Sequence, residues 1–174
     1  MSKFTLAAVK APSAVLMAGM ALALAFGWSN AAHAASAGAD VSVTIQKAVA
    51  IAKVTDLAFG TVSVSTASGT ATINAGTGAT SSGGGVDTIV GASRAEFSLT
   101  GEPNASVSVG FSNSTATLTG PGSDMTVNLT VSNASPALNG SGAATVYVGG
   151  TLNVGANQTS GAYTGSFTVT ANYP

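Results

Sequence analysis

The sequence contains no cysteine. Disulfides, thiolate nucleophiles and cysteine-held zinc or iron are thereby excluded. Histidine occurs once, as His33, inside an N-terminal segment that reads as removable. The remainder is therefore not expected to carry Ser-His-Asp or Cys-His chemistry, nor a histidine-ligated metal site. Charge is almost as scarce, with five basic and six acidic side chains making 6% of the chain. Phosphate neutralisation needs clustered lysine and arginine, so nucleic acid is not an expected partner. A carboxylate pair or an oxygen-ligated calcium site would need its acids gathered together. Asp87, Glu96, Glu102 and Asp124 are scattered and read as solvated surface groups. The chain is thus expected to be no enzyme and to hold no cofactor or metal.

Long apolar runs are also lacking after the first residues. Lys3 and Lys10, the uncharged run from Ala14 to Phe26, and the small-x-small triplet Ala32-His33-Ala34 have the order of a secretory signal peptide. Cleavage is expected after Ala34. The run is short for a membrane span and nothing later approaches the necessary length, so the exported product should have no transmembrane segment. Removing 34 of 174 residues leaves 140, enough for one domain and its core. Three basic residues (Lys47, Lys53, Arg94) then face six acids, a net charge of −3. The one tryptophan, Trp28, leaves with the leader.

What the chain has in quantity is alternation. Val41, Val43 and Ile45 alternate with Ser42, Thr44 and Gln46; Ala95, Phe97 and Leu99 with Glu96, Ser98 and Thr100; Met125, Val127, Leu129 and Val131 with Thr126, Asn128, Thr130 and Ser132. A period of two is that of a strand with one buried face. Leu57 to Val64, Thr70 to Asn74, Asp87 to Val90 and Ser106 to Phe111 are further candidates. Ala144 to Val148 is expected to turn tightly at Gly149-Gly150 into Thr151–Val154 as a hairpin. Ala75 to Gly85, with its triple glycine, reads as a flexible surface loop. Arg94 and Glu96 are two apart on one predicted strand and so could lie on the same face, where a surface ion pair would stabilise little. Many short strands and glycine-rich turns predict an all-β fold, a β-sandwich.

The two ends stand out. The chain closes on Tyr163, Phe167, Val169, Ala171 and Tyr173 alternating with Thr, Ser and Asn, shortly after Gly161. Its N-terminal counterpart, Asp40 to Gln46, follows the small residues Ala35 to Ala39. An apolar strand at a terminus needs a partner edge, in its own sheet or in another molecule. Donation into the open groove of a neighbouring subunit meets that need.

Val41-x-Val43-x-Ile45, followed by Ala48 to Lys53 and then Asp56-Leu57-Ala58-Phe59-Gly60-Thr61, resembles the opening of archaic chaperone–usher pilins and spore-coat-U-like proteins. Those run from a donor segment into a first strand and an L-x-F-G motif. Val148-Gly149-Gly150-Thr151-Leu152, Gly161-Ala162-Tyr163-Thr164-Gly165 and the Tyr173 ending are similar to a related family of secreted bacterial domains of unassigned function. The likeness covers nearly all of the exported chain, with specific motifs at its two ends. Val49 stands about where archaic pilins carry a cysteine.

Behind the leader (1–34), the resemblance implies a donor extension (35–46) and an incomplete immunoglobulin-like β-sandwich (47–174) completed by a neighbour's strand. It implies that Val41, Val43 and Ile45 are donated, and that Gly161, Tyr163, Phe167, Val169, Ala171 and Tyr173 border the groove that receives them. A periplasmic chaperone and an outer-membrane usher would be partners, and the product a homopolymeric surface filament supporting adhesion or biofilm formation. The alternative is a self-contained secreted β-sandwich that binds carbohydrate or matrix, for which Tyr147 is the nearest aromatic candidate.

Overall fold

Segments in which valine, isoleucine or leucine alternates with threonine or serine can bury one face and leave the other in water. In the computed structural model, which describes residues 35–174, most of them do so. The leader, Trp28 and His33 lie outside the described residues. Nine strands form: β1 (Ala50–Thr55), β2 (Thr61–Ile73), β3 (Thr80–Val90), β4 (Ala95–Thr100), β5 (Ser108–Phe111), β6 (Thr115–Leu118), β7 (Met125–Val131), β8 (Ala143–Val154) and β9 (Val169–Asn172). No helix occurs among the described residues. Seven strands make one sheet and β5 with β9 a second, an all-β architecture consistent with the expected β-sandwich. No helix there is long and apolar enough to cross a membrane.

Residues from Val43 onward form one compact unit. Strand β8 is its hub. Along one edge it pairs first with β4 (Ala143 to Val148) and then with β2 (Gly150 to Val154), while β7 runs along the other edge from Val148 to Asn153. Val146, Val148, Leu152 and Val154 all point inward, where they meet Leu99, Ala71, Val127 and Leu129. Strand β7 shows the pattern most plainly, with Met125, Val127 and Leu129 buried and Thr126, Asn128 and Thr130 exposed. On the outer face hydroxyls meet across strands, as between Thr72 Oγ1 and Thr151 Oγ1 at 3.0 Å.

Two expectations are corrected, and the side chain of Arg94 is accounted for. Gly149-Gly150 is no hairpin turn but the middle of the twelve-residue β8. Both glycines are buried, and a Cβ on Gly149 would lie 2.2 Å from the Ile73 carbonyl oxygen, so they serve close approach of neighbouring backbone rather than reversal. The stretch from Ala75 to Gly85 is a loop only as far as Ala79. The Asn74 side chain accepts from the amides of Gly76 and Thr77, each at 2.9 Å, and closes a turn. Strand β3 then starts at Thr80, and its Gly83 and Gly84 pair with Thr70 and Gly69 of β2. Finally, Arg94 forms no ion pair with Glu96. Its guanidinium lies 3.6 Å from the centre of the Tyr147 ring and donates to the carbonyls of Ala75 and Gly76. The ion pair among the described residues joins Lys53 to Asp56 at the surface.

Candidate interaction groove

Strand β2 pairs with β8 only from Gly69 to Ile73, because β8 ends at Val154 and the chain turns away. Its first residues, Thr61 to Val64, therefore pair with β3 alone and leave their other edge without a strand. Beside that edge opens a cleft of about 770 Å³. One wall is Leu57, Phe59, Val62 and Val64; the floor is Leu118, Met125, Leu152 and Val154; the far wall is the segment from Gln158 to Gly165. A smaller recess of about 50 Å³ shares Leu57, Phe59, Leu118 and Gly165 with it and adds Phe167. No charged side chain lines either space.

Local chemistry builds both walls. Gly60 has φ +67°, and a Cβ there would stand 2.1 Å from the Val90 oxygen. A left-handed residue at this point changes the phase of alternation, so that Leu57 and Phe59 before it and Val62 and Val64 after it all line the cleft. On the far wall, the Tyr163 hydroxyl accepts from the Gln158 side-chain amide and donates to the Thr159 carbonyl, both at 2.8 Å. Its ring lies against Gly120, where a Cβ would meet it at 2.4 Å. Phe167 is held edge-on by Phe97 and Phe111, with ring centres 6.3 Å away in each case. Such an uncharged, partly open groove, bordered by an unpaired strand edge, suits an extended segment with apolar side chains.

The expected site residues fall in three places. Gly161 and Tyr163 line the cleft, and Phe167 lines the recess. Val169 is buried in the core on β9, and Ala171, half-buried, lies beside it on the same strand. Tyr173 lines neither space. Its hydroxyl accepts from the Glu102 amide and donates to the Lys47 carbonyl, at 2.7 Å each. The three donor positions are exposed, Val41 at 96%, Val43 at 82% and Ile45 at 88%, and none belongs to a strand. The wall formed by Leu57, Phe59, Val62 and Val64 was not among the expected site residues. Its signal is present in the sequence as two short apolar alternations out of phase across Gly60.

Tyr147, the aromatic candidate for carbohydrate, has one ring face covered by Arg94. That face is not open to a sugar.

Residues 49–173 match the family described as Domain of unknown function (DUF4402). No curated protein and no solved structure matches the chain.

Proposed function

The chain belongs to the DUF4402 family, a domain of unknown function, and from the groove and the arm together we propose that it is a non-enzymatic structural subunit of a bacterial surface filament. The observation that carries this reading is an exposed alternating arm, Val41, Val43 and Ile45, on a chain whose β2 edge borders an open, uncharged cleft with an apolar floor. A second copy's arm supplies what the cleft lacks: main-chain partners for Thr61 to Val64 and side chains spaced two residues apart. Each large side chain so buried contributes about 1.5–3 kcal/mol. Because donor and acceptor are different surfaces, the contact does not close on itself and subunits add head to tail. Export, a periplasmic chaperone that covers the groove first and an outer-membrane usher belong to the same reading. They are supported by the N-terminal leader pattern and by the likeness of the two ends to chaperone–usher pilins.

Val43→Asp tests the arm at its centre. A carboxylate forced into an uncharged groove either loses solvation or stays out. Mean filament length, measured on negatively stained grids, is expected to fall at least about tenfold; since the length of a head-to-tail polymer follows the square root of the contact's association constant, this is a loss of about 2.8 kcal/mol or more per contact. Val43→Ile should preserve it. Filaments of unchanged length from the aspartate variant would remove Val43 from the groove.

A further inference from the structure

Asn139-Gly140 is the one Asn-Gly pair in the chain. It opens the turn that leads into the hub strand β8, where the Gly142 amide donates to the Asn139 carbonyl at 2.8 Å and the Asn139 amide to the Ala143 carbonyl at 2.9 Å. The Asn139 side chain reaches into the same turn. Its Oδ1 accepts from the Ser141 amide at 3.0 Å, the Ser141 hydroxyl at 2.7 Å and the Ala143 amide at 2.9 Å. Three donors on one carbonyl oxygen draw electron density from the carboxamide carbon and stand ready to stabilise negative charge on that oxygen.

The other reacting groups are free. Among the described residues, neither Asn139 Nδ2 nor the Gly140 amide donates a hydrogen bond. Both residues are exposed, and a Cβ on Gly140 would meet nothing within 4 Å. Because Oδ1 reaches the amide two residues on, the carboxamide carbon lies beside the intervening Gly140 nitrogen, which no side chain shields. Asn74 and Asn133 accept from the amide two residues on in the same way, each at 2.9 Å, but Ala75 and Ala134 follow them.

We propose that Asn139 is a site of spontaneous deamidation, in a turn that promotes attack at the side-chain carbonyl and accommodates the aspartate formed. Hydroxide takes the Gly140 amide proton, the nitrogen closes on Asn139 Cγ, and the charge passes to Oδ1 under the three donors. The Cγ–Nδ2 bond then breaks, and Nδ2 leaves as ammonia with a proton from water. What remains is a five-membered succinimide, which one water opens. Attack at Cγ breaks the newly made bond and gives aspartate on the original backbone. Attack at the main-chain carbonyl gives isoaspartate, with the chain rerouted through the side chain. One water enters and one ammonia leaves, with no oxidation or reduction. The donors favour attack at Cγ in the second step as in the first, so aspartate predominates in the folded protein. Its carboxylate keeps all three hydrogen bonds in charge-assisted form. Isoaspartate would lengthen the backbone before Gly140 and break the two main-chain bonds that close the turn.

The test is a time course of folded full-length protein in mildly alkaline buffer, peptide-mapped by mass spectrometry with electron-transfer fragmentation to separate aspartate from isoaspartate. Acid is expected at position 139 at least about tenfold faster than at Asn74 or Asn133, with aspartate the main product. Gly140→Ala should slow its appearance about tenfold by crowding the attacking nitrogen, without moving a urea midpoint. Ser141→Ala removes one of the three donors and should slow it about threefold. Unfolding in urea removes all three, and the isoaspartate share should then at least about double. Equal rates at Asn139, Asn74 and Asn133 would overturn the proposal. An identical product ratio in folded and unfolded chains would overturn it too, since the turn would then have no part in the reaction.

Discussion

Deletion of residues 35–46 is expected to replace a ladder of detergent-resistant polymers on unboiled gels with a single monomer band. The deleted residues are exposed, and every buried core residue lies beyond Lys47. Removing them should therefore leave the melting temperature of the monomer within about two degrees, since surface changes usually fall within ±0.5 kcal/mol. Polymer contacts, by contrast, lose all three apolar donors and the added strand's main-chain bonds. Adding a synthetic peptide of residues 35–46 should restore binding to the cleft in the truncated chain, read as a rise in melting temperature that saturates with peptide. A ladder persisting in the truncated chain would end the donor-strand reading. So would a truncated chain that gains no stability from the peptide while intact subunits polymerise.

The second large effect concerns the hub strand. Gly149→Val should abolish soluble folded protein. A Cβ at this position meets the Ile73 oxygen at 2.2 Å, the Ala75 nitrogen at 2.7 Å and the Ala75 Cα at 3.0 Å, all backbone atoms that no rotamer change can move aside. Relief requires β2 to separate from β8, which breaks the pairing of Gly69 to Ile73 and opens the core over Ala71 and Ile73. A cost of more than about 4 kcal/mol is expected, a large part of the roughly 5–15 kcal/mol that holds a domain of this size folded. Gly149→Ala should cost nearly as much, because the clash begins at Cβ. Gly140, where an added methyl would find nothing within 4 Å, is the control, and Gly140→Ala should shift a urea midpoint very little. Native-like unfolding of Gly149→Val in urea would show that β2 and β8 tolerate a wider spacing.

Alternation alone was enough to place β4 and β7, because each buries one face against a core supplied by its neighbours. It failed where glycine served a distant contact. Gly149 and Gly150 have the look of a turn, yet their lack of side chains is used by Ile73 and Asn128, residues remote in the chain. Likewise Gly83 and Gly84 pair with β2 instead of forming a flexible loop. Strand β6 has only four residues, Thr115–Leu118, too short for its period to stand out. Of the groove, the far wall was legible through Gly161 and Tyr163, and the recess through Phe167. The near wall was not, because it depends on where β8 stops. Tyr173 was legible as a special residue, but its partners, Glu102 and Lys47, are set by the tertiary fold.

The pairing of β1 has a mechanical consequence. Strand β1 lies antiparallel to β4, with Ala50 opposite Thr100 and Ile51 opposite Leu99, immediately after the point where the arm leaves the fold. A pull transmitted through the arm would run along β1's axis, loading its cross-strand bonds together in shear instead of unzipping them one by one. Resistance to traction would then come from geometry rather than from covalent cross-links, in a chain that has no cysteine with which to make them.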